Sequence, residues 1–235
     1  MRVSLTRFSL NAIQFQHPLK NFHLALRTVM FLFGLAEPDT TGQGWKVAMT
    51  EKEKMLSSAL YHPMDPELIA DRASIKRIIH RFNTMEPDLV RERHDLIRPW
   101  LASPTEHFHI EPPFHCDYGY NISIGENSYI NYNLTVLDCG KVTIGKNAFI
   151  GPNVSIYTPN HPIDANLRNS GVETAFPVTI GDNVWLGGSV TILPGVTIGD
   201  NVVIGAGSVV TKDIPSHSVA VGNPCRVVKK LSSDV

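Results

Sequence analysis

Residues 180–204 read IGDNVWLGGSVTILPGVTIGDNVVI, a stretch in which an aliphatic residue returns at every sixth position. A strand alternates with a period of two and an amphipathic helix with a period near 3.6, so neither explains this spacing. Six residues can form one side of a triangular coil, a short strand followed by a turn where glycine relieves the backbone. Stacked coils of this kind bury one face on their neighbours, so the repeat predicts a parallel β-solenoid. The aliphatic series comprises Ile180, Leu186, Ile192, Ile198, Ile204 and Val210.

The same six-residue spacing occurs earlier in the chain, in two runs that are interrupted once. The eight-residue step from Val136 to Ile144 indicates a two-residue bulge around residues 138–141. Residues 157–177 lack the pattern and are rich in Pro, Asn and Gly, which is typical of a loop. Because the distance from Ile156 to Ile180 is four whole six-residue periods, the solenoid can resume in register after this loop. Long insertions are usually functional, and we expect a function here. The two earlier runs are Ile124, Ile130 and Val136, then Ile144, Ile150 and Ile156.

Helical signals precede the solenoid. Asp65-Pro66-Glu67 combines a capping side chain, a first-turn proline and an acid near the positive helix end, and apolar spacing continues to Phe82. A second helix is predicted to begin near Pro87 and to end before Pro104, and a shorter helix around residues 55–61 precedes both. Because such amphipathic helices are not stable alone, we expect them to dock on the first coil as a cap.

Composition and charge exclude several classes of protein. The net charge of -1 over 235 residues gives no excess of basic residues of the kind that nucleic-acid binding requires. Three cysteines without CxxC spacing argue against a disulfide framework and for a reducing compartment. The apolar patch at residues 22–36 is interrupted by His23 and Arg27, so it is too short and too polar for a membrane span.

Residues 1–36 contain no acidic residue and carry several basic ones, a composition typical of a mitochondrial presequence. The alternative is a poorly ordered extension that carries no targeting signal. We therefore expect a cytoplasmic protein, or a mitochondrial one if residues 1–48 act as a presequence. The predicted division is residues 1–48 as an extension, 49–104 as a helical cap and 105–235 as the solenoid domain with its inserted loop.

Several local motifs carry a resemblance to a known family: Thr50 to Leu56, Glu111 to Ile122, Asn160-His161-Pro162, and Gly222 to Arg226. Together they make residues 49–228 similar to the hexapeptide-repeat sugar O-acetyltransferases, the group of maltose, galactoside and nodulation-factor acetyltransferases. The resemblance implies a mainly β protein built on a left-handed parallel β-helix, and a homotrimer with active sites between neighbouring subunits. The hand comes from the resemblance, since crossover rules favour the opposite one. It also implies acetyl-CoA as cosubstrate, with no metal.

The resemblance also implies roles for individual residues. Acetyl transfer to a sugar hydroxyl needs a base, held reactants and a stabilised oxyanion. His161 matches the catalytic histidine, and an imidazole accepts a proton near neutral pH. Where some family members have a second acid after position 138, this chain has Cys139. The matched acceptor-binding positions, whose side chains are otherwise ordinary polar groups of turns, are Asp117, Asn131 and Asp138.

The coenzyme positions lie toward the end of the repeat. Gly188 stands where the family often has a serine, so only a backbone N–H is left to bind the oxyanion there. Trp185 either walls the coenzyme groove or the acceptor side, or packs in the core or an interface. The basic residues of this set suit nucleotide phosphates, and otherwise are solvated surface charges. The matched positions are Trp185, Gly188, Ala206, Thr211, Lys212, Arg226 and Lys229.

Rival functions remain open at the level of sequence. A direct attack is favoured over a covalent acyl-enzyme because Cys225 has no histidine in its motif. A metal-dependent carbonic anhydrase on the same kind of solenoid would need three converging histidines, and the coil region offers His161 alone as a candidate ligand. The same reaction on serine, an antibiotic alcohol or an amino sugar is a nearer alternative, and a non-catalytic scaffold is a third.

Overall fold

A computed structural model describes residues 36–38, 45–102 and 105–232. The chain forms two compact units, Met1–Met49 and Thr50–Val235. In the first unit, strands β1 (Ala36–Pro38) and β2 (Trp45–Val47) pair in antiparallel fashion. The presequence-like residues up to position 35 lie outside the described part of the chain.

The second unit begins with three helices, α1 (Glu51–Leu56), α2 (Pro66–Thr84) and α3 (Val90–Ile97), and a 3-10 turn at Arg98–Trp100. Helix α2 is confirmed where the capping signal predicts it, since the side chain of Asp65 accepts a hydrogen bond from the Glu67 amide. Three of its buried residues, Ile75, Ile79 and Phe82, pack against the solenoid core, as the cap prediction requires.

Two helix boundaries differ from the prediction. Helix α3 begins at Val90 and not near Pro87, because the Arg93 guanidinium binds the carbonyl oxygens of Glu86 and Pro87 in a turn. Helix α1 ends at Leu56, and Tyr61 instead forms an isolated antiparallel bridge with Glu173, 112 residues along the chain. Apolar spacing alone did not distinguish a helical residue from one buried by this long-range pairing.

The solenoid follows as coils that visit three faces in turn, which we call face 1, face 2 and face 3. Each face is a parallel sheet, and β20 adds to face 1 in antiparallel fashion. Face 1 contains β3 (Phe108–Ile110), β6 (Ser128–Ile130), β9 (Phe149–Ile150), β14 (Trp185–Leu186), β17 (Val202–Ile204), β19 (Ser218–Val221) and the antiparallel β20 (Arg226–Lys230). Face 2 contains β4 (Phe114–Cys116), β7 (Leu134–Leu137), β10 (Ser155–Tyr157), β15 (Thr191–Ile192) and β18 (Val209–Val210), and face 3 contains β5 (Ile122–Ile124), β8 (Val142–Ile144), β13 (Val178–Ile180) and β16 (Thr197–Ile198). The insertion between β10 and β13 contributes β11 (Pro159–Asn160) and β12 (Thr174–Ala175).

The aliphatic residue of each period points inward and stacks on its equivalent in the next coil. On face 1, Ile130 pairs with Ile150, Ile150 with Leu186, and Leu186 with Ile204. All four are essentially fully buried, and each buried aliphatic side chain contributes roughly 1.5–3 kcal/mol. The predicted six-residue repeat is therefore the inner lining of the solenoid, and the predicted parallel solenoid is confirmed.

The corner between faces 3 and 1 explains the recurring asparagines. Asn147, Asn183 and Asn201 have φ of 54°, 56° and 55°, a left-handed conformation that asparagine tolerates well. Their side chains form a ladder, with Asn147 donating to Asn183 at 3.0 Å and Asn183 to Asn201 at 3.1 Å. The coils also approach closely here: a Cβ on Gly145 would lie 2.5 Å from the carbonyl carbon of Gly181.

The inserted loop, residues 157–177, has structure of its own. Strands β11 and β12 pair as antiparallel arms, and helix α4 (Ala165–Asn169) lies between them, capped by Asp164. Arg168 donates to the carbonyl oxygens of Pro162 and Ile163. After the insertion, β13 pairs with β8 in register, as the whole number of periods predicts.

Candidate active site

His161 follows β11 directly, so the paired arms of the insertion fix where its ring projects. Its side chain is 60% exposed, and its Nε2 atom lies 3.8 Å from Oε1 of Glu173. This separation is longer than a hydrogen bond but within the range of an ion pair once the imidazole is protonated. The exposed ring therefore has one carboxylate beside it and is otherwise open to solvent.

Glu173 is held in place by the cap. Its Oε2 atom accepts a hydrogen bond of 2.8 Å from the Tyr61 hydroxyl, and the two residues exchange backbone N–H···O bonds of 3.0 Å in both directions. Tyr61 is 1% exposed, and burial raises the pKa of its hydroxyl, so it remains a donor. Neither residue was identified from the sequence as part of the site.

Cys139 and Asp117 extend this cluster. Cys139 is buried against Tyr61 in a small apolar cluster that also contains Tyr118, and its Sγ atom lies 3.8 Å from Oδ2 of Asp117. Burial raises the pKa of the Cys139 thiol to about 12, so at neutral pH it is uncharged and a poor nucleophile. The residue that departs from the family pattern thus supplies a neutral wall between Asp117 and Tyr61.

Asp117 is partly buried and directly follows β4. Burial raises the pKa of its carboxyl group, and the nearby cations Arg72 and Lys76 oppose that rise. Arg72 is itself fixed by the Tyr118 hydroxyl at 2.5 Å and the carbonyl oxygen of Pro63 at 2.6 Å. The cap therefore places positive charge beside this carboxylate.

Asp138, which was predicted to bind the acceptor, is buried in the single chain. The side chain has no exposed surface, and its carboxylate accepts three backbone hydrogen bonds, from Asp117 and Tyr118 at 2.9 Å and from Gly119 at 2.7 Å. Burial raises its pKa to about 6, and the three N–H donors counteract that rise. Asp138 therefore holds the turn that carries Asp117.

The predicted site residues fall into two groups, which lie at two different corners of the solenoid. Asp117 and the pair Thr211-Lys212 each follow a strand of face 2, at the corner between faces 2 and 3, and His161 lies in the insertion that leaves the coil at the same corner, after β10. The second group follows strands of face 1, at the corner between faces 1 and 2. With six residues per side at roughly 3.3 Å each, the two corners are up to about 20 Å apart. The second group consists of Asn131, Gly188 and Ala206.

The remaining coenzyme candidates lie on face 1. Trp185 points outward from β14 between Phe149 and Val203 and is 56% exposed, so it is a surface residue in the single chain and not part of its core. Arg226 and Lys229 are exposed on β20, at the open edge of the same sheet.

Comparisons with known proteins agree with this architecture. The model for the maltose acetyltransferase hexapeptide capping motif matches residues 54–104, and that for the bacterial transferase hexapeptide (six repeats) matches residues 177–212. A Saccharomyces cerevisiae protein named "Putative acetyltransferase" is 53% identical over 181 residues, which are 77% of this chain and 92% of that protein. The chain belongs to the hexapeptide-repeat acetyltransferases with a maltose acetyltransferase cap.

Solved structures of this acetyltransferase family have the same fold. A maltose O-acetyltransferase from Clostridium difficile 630 is 55% identical, with a TM-score of 0.78, over 79% of this chain and 100% of that chain. A galactoside acetyltransferase in complex with coenzyme A is 45% identical, with a TM-score of 0.76, over 79% of this chain and 92% of that chain. The chain is therefore an acetyltransferase, and a purely structural scaffold is set aside.

Two further findings concern the described residues of this acetyltransferase. Among residues 36–38, 45–102 and 105–232 there is no group of three His, Cys, Asp or Glu side chains that could hold a metal ion. No helix in that part of the chain is long and apolar enough to cross a membrane.

Proposed function

We propose that this acetyltransferase transfers the acetyl group of acetyl-CoA to a hydroxyl of a sugar, with His161 as the general base. The observation that carries the proposal is the exposed His161 ring beside Glu173, a carboxylate that the cap fixes through Tyr61. The coenzyme A complex and the sugar acetyltransferases among the structural relatives support the two substrates.

The proposed chemistry is a direct displacement. The acceptor oxygen attacks the thioester carbonyl carbon, so that a C–O bond forms and the C–S bond breaks. His161 takes the hydroxyl proton and passes it to the departing sulfur. Glu173, 3.8 Å away, stabilises the imidazolium between these two steps, as a carboxylate does in other histidine-based acyl transfers.

A covalent acyl-enzyme is disfavoured by the state of the three cysteines. Cys116, Cys139 and Cys225 are all buried, and burial raises the pKa of each thiol. Since the thiolate is the nucleophilic form, none is poised to attack a thioester at neutral pH. Direct attack within a complex of enzyme and both substrates is the simpler route.

The acceptor would lie over Asp117 and Glu173, whose oxygens accept hydrogen bonds from sugar hydroxyls in fixed directions. These two carboxylates are brought together by the Cys139 and Tyr61 side chains between them. In this proposal Asp138 acts only by fixing the Asp117 turn.

The separation of the two corners supports a homotrimer with active sites between copies. One chain carries His161 at the corner between faces 2 and 3 and Gly188 at the corner between faces 1 and 2. A cleft that contains both is completed when the corner between faces 2 and 3 of one copy meets the corner between faces 1 and 2 of its neighbour. Acetyl-CoA would then lie in that cleft, with a backbone N–H near Gly188 at the oxyanion and its phosphates near Lys212, Arg226 and Lys229.

The test is a thiol-release assay with acetyl-CoA and a panel of monosaccharides, disaccharides, serine and amino alcohols. We expect acetylation of sugars, and a loss of kcat by roughly 10²–10⁴-fold in His161→Ala with coenzyme binding and trimer mass unchanged. The exposed His107→Ala variant is the matched control and should retain full activity. Full activity in His161→Ala would reject the base, and acetylation of serine or amino alcohols alone would reject the sugar acceptor.

A further inference from the structure

A cleft of about 410 Å³ lies between helix α2 of the cap and the first two coils of face 2. Its volume falls in the range of about 300–1,000 Å³ typical of small-molecule sites. Neither His161 nor Glu173 lines it, so it is distinct from the place where the acceptor hydroxyl reacts. It shares one residue, Asp117, with the proposed acceptor site.

The walls of the cleft are fixed before any ligand arrives. Asn83 of helix α2 binds the backbone of Phe114 twice: its amide nitrogen donates to the carbonyl oxygen and its amide oxygen accepts from the N–H, both at 2.9 Å. This pair joins the helix to strand β4 at the inner end of the cleft. These two hydrogen bonds therefore hold the helix wall of the cleft to its strand wall.

The lining combines an apolar floor with unoccupied polar groups at the rim. Ile79 and Leu137 form the floor, and the rim carries the side chains of Lys76, His80 and His115. Within the described residues, none of these three rim side chains has a hydrogen-bond or ion-pair partner. A sugar ring has the matching character, with apolar C–H faces and a circumference of hydroxyl groups.

The charge at the rim indicates a neutral ligand. The Lys76 ammonium group lies close enough to Asp117 to oppose the rise of its carboxyl pKa, so a cation and an anion flank the opening. A lysine donates hydrogen bonds, a carboxylate accepts them, and a neutral imidazole does both. Hydroxyl groups need such a mixture of hydrogen-bond donors and acceptors, whereas an acidic ligand would be repelled by the Asp117 carboxylate.

We propose that the cleft binds a second sugar residue of the acceptor, so that the preferred substrate is a neutral glycoside at least two residues long. The acetylated residue lies over Asp117 and Glu173, and the residue linked to it enters the cleft past Asp117 toward Lys76 and His115. This assignment rests on the proposed sugar acetylation and specifies which sugars suit the site.

The experiment compares kcat/KM for maltose and glucose in the wild type and in Lys76→Ala/His115→Ala. Both side chains are exposed, so the fold is retained, and Arg77→Ala on the same helix, outside the cleft, is the matched control. We expect the wild type and Arg77→Ala to prefer maltose by about tenfold. The double variant should lose that preference while KM for acetyl-CoA changes less than twofold.

Three outcomes would overturn the assignment. Equal kcat/KM for both sugars in the wild type rejects the second subsite and leaves sugar acetylation intact, as does a preference that persists in the double variant. Acetylation of neither sugar, with acetyl-CoA still consumed by another alcohol, rejects sugar acetylation and the subsite with it.

Discussion

The substitution Tyr61→Phe isolates what the cap contributes to the chemistry. It removes only the hydroxyl that donates to Oε2 of Glu173 at 2.8 Å, while the two backbone hydrogen bonds between these residues remain. A hydrogen bond to a charged group contributes about 1.5–3 kcal/mol, and the Glu173 side chain is only 18% exposed, so water replaces the lost donor poorly. We expect the free energy of unfolding to fall by about that amount.

The effect on activity follows from the loss of alignment. Without the hydroxyl, the Glu173 carboxylate can turn away from His161, and a loss of about 1.4 kcal/mol of transition-state stabilisation lowers kcat about tenfold. The KM for acetyl-CoA should stay within twofold, because Tyr61 lies on the acceptor side of the proposed site. Thiol release at saturating coenzyme measures kcat, and urea unfolding measures stability.

Tyr120→Phe is the matched control for this prediction. Tyr120 is also partly buried in the cap region, and its hydroxyl donates to a carboxylate oxygen of Asp71 at 3.0 Å, away from His161. It should lose stability of the same order and keep wild-type kcat. If Tyr61→Phe and Tyr120→Phe lower stability alike and both keep wild-type kcat, the idea that the cap aligns the catalytic pair is refuted.

Three further predictions concern single residues. Glu173→Gln removes the charge beside His161 and should lower kcat by roughly 10–100-fold with trimer mass unchanged; steady-state kinetics that match the wild type would contradict a role for that charge. Because burial raises the pKa of Asp138 from 3.8 to about 6, the folded protein keeps this proton to a higher pH than the unfolded chain does. The wild type should therefore gain stability relative to Asp138→Asn as pH falls from about 7 to about 4, by up to about 3 kcal/mol, and urea unfolding curves that shift in parallel for both proteins would contradict this. Asn183→Ala loses two ladder hydrogen bonds and places alanine at φ 56°, which should destabilise the protein by about 2 kcal/mol; Asn183→Gly should lose about 1 kcal/mol less, and equal losses in denaturant titrations would show that the left-handed turn carries no strain.

The sequence predicted the features that depend on local spacing. Inward stacking requires an aliphatic residue at each sixth position, so residues such as Ile150 and Leu186 mark the core without any knowledge of contacts. The helix from Pro66 was equally readable, since its capping residues lie beside it in the chain. The position of His161 on an insertion followed from the break in the same period.

The site itself was predicted less well, because its key contacts join distant segments. Tyr61 and Glu173 are 112 residues apart, and nothing in the spacing of either segment requires them to pair. The sequence around Asp138 predicts a carboxylate in a turn, but it does not distinguish a side chain that faces water from one that accepts hydrogen bonds from three backbone N–H groups. A local pattern specifies which residues are polar, and only the packing of neighbouring coils decides which of them a ligand can reach.

In the proposed mechanism the cap therefore has two roles, one in packing and one at the site. Ile75 and Phe82 of helix α2 join the apolar core at the open end of the solenoid, where the first coil has no neighbour to cover it. The residues before that helix form the other contact, since Tyr61 bridges to Glu173 in the insertion after β10. Because the coils are paired to one another through their own registers, loss of the Tyr61 contact would leave the solenoid stacked and the proposed base without an aligned partner.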